Sequence, residues 1–145
     1  MGTPRKSADQ WFAEYGESHQ DHTNETIHWI CVPLITWSVL AALWAVSPAA
    51  AYVGIALATA YYAWLSVQIA VGMLAVFALM VFPLTLLGSN VLAVAAVVFV
   101  VAWIGQFIGH AIEGKKPSFF EDLKFLLVGP AWLLHFVYKK AGLRY

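Results

Sequence analysis

Residues 26–112 form an unbroken stretch of 87 residues that contains no Asp, Glu, Lys or Arg. All eight basic and eight acidic side chains fall before it, in 1–25, or after it, in 113–145. A water-soluble domain cannot cover itself with so little polar surface. The chain is therefore expected to be an integral membrane protein. With 61% apolar residues, 11% charged residues and zero net charge, a disordered chain and a basic nucleic-acid binder are both excluded as expectations. No nucleic acid is expected as a partner.

A helix needs about 20 apolar residues to cross a bilayer core of about 30 Å, so the stretch holds about four crossings. Ser47-Pro48 interrupts the first apolar run, because proline lacks an amide donor and restrains the residue before it. Leu87-Gly88-Ser89-Asn90 is a turn cluster. A third break is expected at 68–72, where Gln68 and Gly72 fall between apolar runs. The spans predicted are 27–46, 49–68, 71–87 and 91–112, giving an all-α membrane bundle in a single domain over 1–145. Pro33 and Pro83 lie within these spans, a cost that neighbouring helices absorb.

Both flanks are expected at the membrane surface. Residues 1–25 hold five acids and no apolar core, so they are not a signal peptide. Trp11, Phe12, Tyr15, His19 and His22 recur at helical spacing, which predicts an interfacial helix over about 8–22, its aromatic side toward the lipid and a bend at Gly16. The apolar run within 123–138 contains Gly129-Pro130 and is too short to span, so an interfacial or re-entrant segment is expected there. Arg5 and Lys6 precede the first span; Lys115, Lys116, Lys124, Lys139, Lys140 and Arg144 follow the last. The positive-inside bias then places both termini in the cytoplasm, at the inner membrane of a bacterium or the endoplasmic reticulum of a eukaryote.

Four crossings bring His28, at the start of the first span, and His110, near the end of the fourth, to one membrane face beside His19 and His22. Neutral imidazole is a common ligand of iron, zinc and copper, and ionisable groups at membrane depth are costly enough to suggest function. His22 could be a further ligand through its i,i+3 relation to His19, or a solvated loop side chain. Glu113, one turn past His110, could bind metal or support a histidine, or pair with Lys115 or Lys116. Thr23 is the expected cap of the first spanning helix, and Asn24 either orients His28 or caps. His135 is expected as an interfacial anchor. Gly105 and Gly109 make a small-xxx-small packing pattern, within the bundle or between chains, and Cys31 is expected to pack. No nucleotide loop, paired-cysteine zinc site or nucleophile elbow is present.

Two segments carry more than composition: YGESHQDHTNETIHWICVPL at 15–34 and WIGQFIGHAIEGKKPSFFEDLKFLLVGP at 103–130. The His-x4-Asn-x3-His pattern of His19, Asn24 and His28, and the Gln-Phe-Ile-Gly-His run ending in His110, resemble the membrane-embedded, iron-dependent 2-hydroxy fatty acid dioxygenases of fungal phytosphingosine degradation and their small bacterial relatives. The resemblance runs from about Trp11 to the C-terminus and includes the Lys115-Lys116-Pro117 element. It implies Fe(II) as cofactor and one-carbon shortening of a 2-hydroxy fatty acid by O2. It further implies His19, His28 and His110 as catalytic iron ligands, with Asn24 supporting them. His22 stands where the family often has proline and inherits no role. Glu113 lies one residue nearer His110 than the glutamate of many relatives.

The layout suits that chemistry. The acyl chain would lie among the spans with other membrane lipids, and the hydroxy-carboxylate at the cytoplasmic face, where Lys115 or Lys116 could pair with it. Three imidazoles leave coordination positions for a chelating head group and oxygen. On the residues alone two other classes stay open: a small haem protein using histidines such as His28 and His110 axially, and a non-enzymatic scaffold or lipid-binding protein. Oligomeric state is open as well.

Overall fold

The computed structural model describes residues 7–16, 21–114 and 127–143. These form six α-helices and no strand: α1 (Ala8–Gly16), α2 (His22–Val46), α3 (Pro48–Leu65), α4 (Val67–Leu87), α5 (Val91–Glu113) and α6 (Val128–Ala141). Two stretches, His22–Val46 and the 47-residue Val67–Glu113, are long and apolar enough to cross a membrane. The second is folded back at Gly88–Asn90, a 3-10 turn opened by Gly88 at φ 56°, a conformation that an L side chain resists. Large apolar side chains such as Leu79, Leu86, Val97 and Ile104 point outward from the bundle.

The helix ends follow from local chemistry. α2 is capped by Asp21 rather than by Thr23: its carboxylate accepts from the amides of Thr23 at 2.8 Å and Asn24 at 3.3 Å. One ionised side chain thus satisfies two orphan donors and complements the positive helix end. Ser47 is a one-residue corner in extended conformation; its hydroxyl oxygen accepts from Ala50, and Pro48 occupies the first helical position, where no amide is needed. Ser66 repeats the device between α3 and α4, its oxygen accepting from Ile69.

That corner corrects the expected third break. The chain turns at Ser66, and Gln68 and Gly72 both lie within α4. Gly72 is there for space: a Cβ would come within 2.1 Å of the Tyr138 hydroxyl and 2.7 Å of Leu134, both on α6. A glycine that reads as a helix breaker is a socket for a neighbouring helix.

α2 and α5 run antiparallel and form the most extensive helix pair. Gly105 faces Cys31 and Gly109 faces Asn24, so the two glycines receive α2 side chains. α3 and α4 pack together beside α2, and α6 lies across α4, α2 and α1. The Trp37 indole donates to the Met80 carbonyl at 3.1 Å, close to where Pro83 withdraws an amide from α4. The Tyr62 hydroxyl, on α3, donates to the Leu127 carbonyl at 2.7 Å and so pins the start of α6.

The two flanks differ from expectation in what they cover. Ala8, Phe12 and Tyr15 share one face of α1 and are buried, but against α6 rather than turned to lipid. The bend anticipated at Gly16 falls at the edge of the described residues, since 17–20 lie outside them. α6 has 14 residues, and Val128–Leu133 and His135 are buried in the bundle.

Candidate functional site

The site grows from the α2–α5 seam. On α2, Asn24, His28 and Cys31 follow at i, i+4 and i+7, so one stripe meets α5. Gly109 lets that stripe approach closely: a Cβ there would fall 2.2 Å from the Asn24 side-chain oxygen and 3.5 Å from His28 Cε1. His110 follows directly, and its ring lies edge-on to that of His28, with centroids 5.7 Å apart and planes at 86°. Two histidines separated by 82 positions in the chain are thereby side by side, with 1% and 6% exposure, at the end of the bundle where α2 begins and α5 ends.

His28 has a defined orientation. Its Nδ1 lies 2.9 Å from the Asn24 carbonyl, one helical turn back. Only a ring N–H can donate to a carbonyl, so this contact calls for a proton on Nδ1, and in a neutral ring the lone pair is then on Nε2. A metal-binding imidazole needs this arrangement, with one nitrogen tied to a backbone acceptor and the other available as ligand. Asn24 therefore orients His28 through its main chain. Its side chain, fully buried, serves instead as the partner surface of Gly109. It does not cap α2, a role taken by Asp21.

The remaining sequence candidates are distributed around this pair. His19, Lys115 and Lys116 lie outside the described residues. His22 opens α2 and is exposed. The Glu113 carboxylate accepts from the Asp21 amide, which ties the end of α5 to the start of α2. Among the described residues no three His, Cys, Asp or Glu side chains are grouped as a metal site; the seam by itself supplies two imidazoles. The donor type fits a transition metal, and a third ligand would have to come from elsewhere.

His135 is not the surface anchor that its position among apolar residues and lysines suggests. It is buried on α6, stacked on Phe12 with centroids 4.7 Å apart, and its Nδ1 donates to the Trp132 carbonyl. Burial pushes its pKa below the usual imidazole value, aided by the Lys139 ammonium and opposed by the Trp132 hydrogen bond and Asp9.

Two residues near the pair were not singled out from sequence as site residues. Tyr15, expected only as part of an aromatic stripe, brings its ring to 6.4 Å from His28 and 5.0 Å from Trp132, so α1 closes over the histidine. Gln106, one turn before His110, is buried on α5. The signal for Gln106 was available: it is a polar amide in an apolar helix, four residues from a histidine. An apolar groove of about 170 Å³ between α2, α4 and α6 is lined by Trp29, Pro33, Met73, Met80, Pro130 and Leu133 among others, beginning at the residue next to His28.

A family model described as 2-hydroxy-palmitic acid dioxygenase Mpo1-like matches residues 5–141. No curated protein matches the chain, and no solved structure matches it.

Proposed function

The chain belongs to the 2-hydroxy-palmitic acid dioxygenase Mpo1-like family, and from that premise we propose that it is a multi-pass membrane enzyme that shortens 2-hydroxy fatty acids by one carbon, using Fe(II) and O2. The observation that carries the reading is the buried His28–His110 pair, with His28 oriented through its Nδ1 by the Asn24 carbonyl. His19, from the segment joining α1 to α2, is the proposed third ligand. The spans are α2, α3, α4 and α5, with both termini in the cytoplasm.

The net reaction, RCH(OH)COOH + O2 → RCOOH + CO2 + H2O, balances without an external reductant. Bound Fe(II) would supply the one-electron chemistry that lets ground-state oxygen react with a closed-shell acid. The protein's own task is to bind and orient. The Asn24 carbonyl holds the His28 proton at Nδ1 throughout, so the ring stays in one tautomer. Tyr15 and Trp132 shield the histidines from water on the α1 side. The groove that begins at Trp29 provides an apolar bed for the acyl chain. Lys115 and Lys116 are the proposed partners of the carboxylate.

The deciding experiment is metal analysis of the purified protein by ICP-MS, wild type beside His28→Ala and His110→Ala. About one iron per chain in the wild type is expected, lost in either variant while the helical circular dichroism stays intact. The wild type should then consume 2-hydroxypalmitate only when oxygen is present. A Soret band would replace this reading with a haem site. Absence of metal after anaerobic Fe(II) reconstitution would leave a scaffold or lipid-binding role.

A further inference from the structure

Gln106 sits on the face of α5 that meets α2, between the two glycines that receive α2 side chains. Gln106 lies four positions before His110, so the two side chains leave the helix within about 40° of each other, with Gln106 about 6 Å deeper in the bundle. Its exposure is 6%, and its side-chain oxygen is closed from solvent with no hydrogen-bond partner among the described residues. A buried acceptor left unsatisfied carries a substantial desolvation penalty, and an apolar side chain of similar shape would avoid it. Among the described residues no side chain is paired with the Gln106 oxygen, and Cys31, Ile35, Ala102 and Trp103 pack as a mainly apolar cluster on the same two helices. A group held under such a penalty, beside two histidines, is suited to a donor that arrives with a ligand.

We propose that Gln106 is the residue that reads the 2-hydroxyl of the substrate, its Oε1 accepting the hydroxyl proton in a hydrogen bond. The inference rests on the dioxygenase reading for the identity of the ligand, and adds to it a determinant of specificity. With the head group at the histidines, the C2 hydroxyl, on the carbon next to the carboxylate, is held within reach of the next turn of α5. That is the level at which Gln106 stands, one turn below His110. An unsubstituted fatty acid has no donor to offer at C2 and would leave the amide oxygen unsatisfied. A site built around a substrate hydroxyl discriminates in this way against the analogue that lacks it.

The test uses the full chain in detergent under anaerobic conditions, with 2-hydroxypalmitate and palmitate as probes and tryptophan fluorescence as the binding signal. The variants are Gln106→Met, which keeps the unbranched shape, and Gln106→Leu. Wild type is expected to prefer 2-hydroxypalmitate, and each variant should lose about tenfold of that preference, the order of one unmade hydrogen bond. Iron content should be unchanged in both. Their melting temperatures should equal or exceed that of wild type, because an unpartnered buried amide has been removed. A variant that keeps the wild-type preference overturns the proposal. So does one that melts earlier or fails to fold, since Gln106 would then hold structure, and so does a wild type that binds both acids alike. Failure of the dioxygenase reading is separate: it appears as wild-type protein without iron or oxygen-dependent turnover, whatever the binding preference.

Discussion

The α2–α5 seam and the cluster around α3, α4 and α6 are both buried, and they are built on opposite terms. In the cluster, Tyr62, Ile69, Met73, Phe77, Ala131 and Trp132 interlock as mainly apolar side chains, and the Tyr62 hydroxyl is paired, donating to Leu127. In the seam, Asn24, His28, Ser38, Gln106 and His110 bury polar groups between helices brought close by Gly105 and Gly109. The cluster holds the helices together, and its shape can be approximated by other apolar side chains. The seam holds chemical groups at fixed separations, so small displacements matter there far more. Expensive polar burial in one half of the molecule is supported by ordinary packing in the other.

The largest effect should come from the glycines, because each half has one under the same apparent threat. Gly109→Ala forces a methyl to within 2.2 Å of the buried Asn24 side chain; Gly72→Ala forces one onto the Tyr138 hydroxyl. Asn24 has no exposed surface and cannot yield without displacing a buried neighbour, whereas Tyr138 is half-buried and can swing outward at the loss of its hydrogen bond to the Gln68 carbonyl. Gly109→Ala is expected to cost about 1–3 kcal/mol in overpacking and, on the proposed Fe(II) site, to abolish stoichiometric iron binding. Gly72→Ala should lower the melting temperature while sparing iron. Thermal melts with metal analysis of both variants decide this, and equal iron loss in the two would dissolve the contrast between seam and cluster.

A middling effect is expected inside the cluster. Tyr62→Phe leaves the Leu127 carbonyl without its donor and should cost about 1–3 kcal/mol, read as a lowered melting temperature. Iron content should hold, because the start of α6 rather than the histidine seam loses its tie.

The smallest effect concerns pH. The depressed pKa of His135 means that the unfolded chain takes up a proton that the folded protein refuses. Its contribution to stability is therefore full above the ordinary imidazole value of 6.5 and declines as pH falls below it towards the folded-state value. Melting temperatures measured from pH 7.5 down to 5.5 should fall more steeply for wild type than for His135→Phe. Parallel curves would show that this stacked imidazole contributes nothing to the pH response.

Much of this arrangement was legible in the residues themselves. The charge-free run, Ser47-Pro48 and Gly88-Ser89-Asn90 announce apolar helices and two of their breaks, because helix termination there is a local matter of proline, serine and glycine. The pairing of His28 with His110 follows from counting helices, since an even number returns the chain to the end where it started. The third break was misplaced because Gly72 carries the same local signal as a turn, although its reason lies on α6, more than sixty residues away. The sequence points to Thr23 as the cap, yet Asp21 performs it: both residue types cap well, and only the backbone path shows which one reaches the free amides.

What the sequence by itself determined is the material of the protein: a succession of apolar helices, a resemblance to the family carried by the His19–Asn24–His28 and Gln106–His110 spacings, and His28 and His110 at one end of the bundle. Only the tertiary structure decided which nitrogen of His28 meets the Asn24 carbonyl, that the Asn24 side chain fills the hollow of Gly109, that the aromatic face of α1 is covered by α6, and that the buried Gln106 oxygen has no partner among the described residues. The division has a physical cause. Helix formation and termination depend on neighbours within about four residues, while burial, tautomer and hydrogen-bond satisfaction depend on atoms that the chain brings together from anywhere along its length.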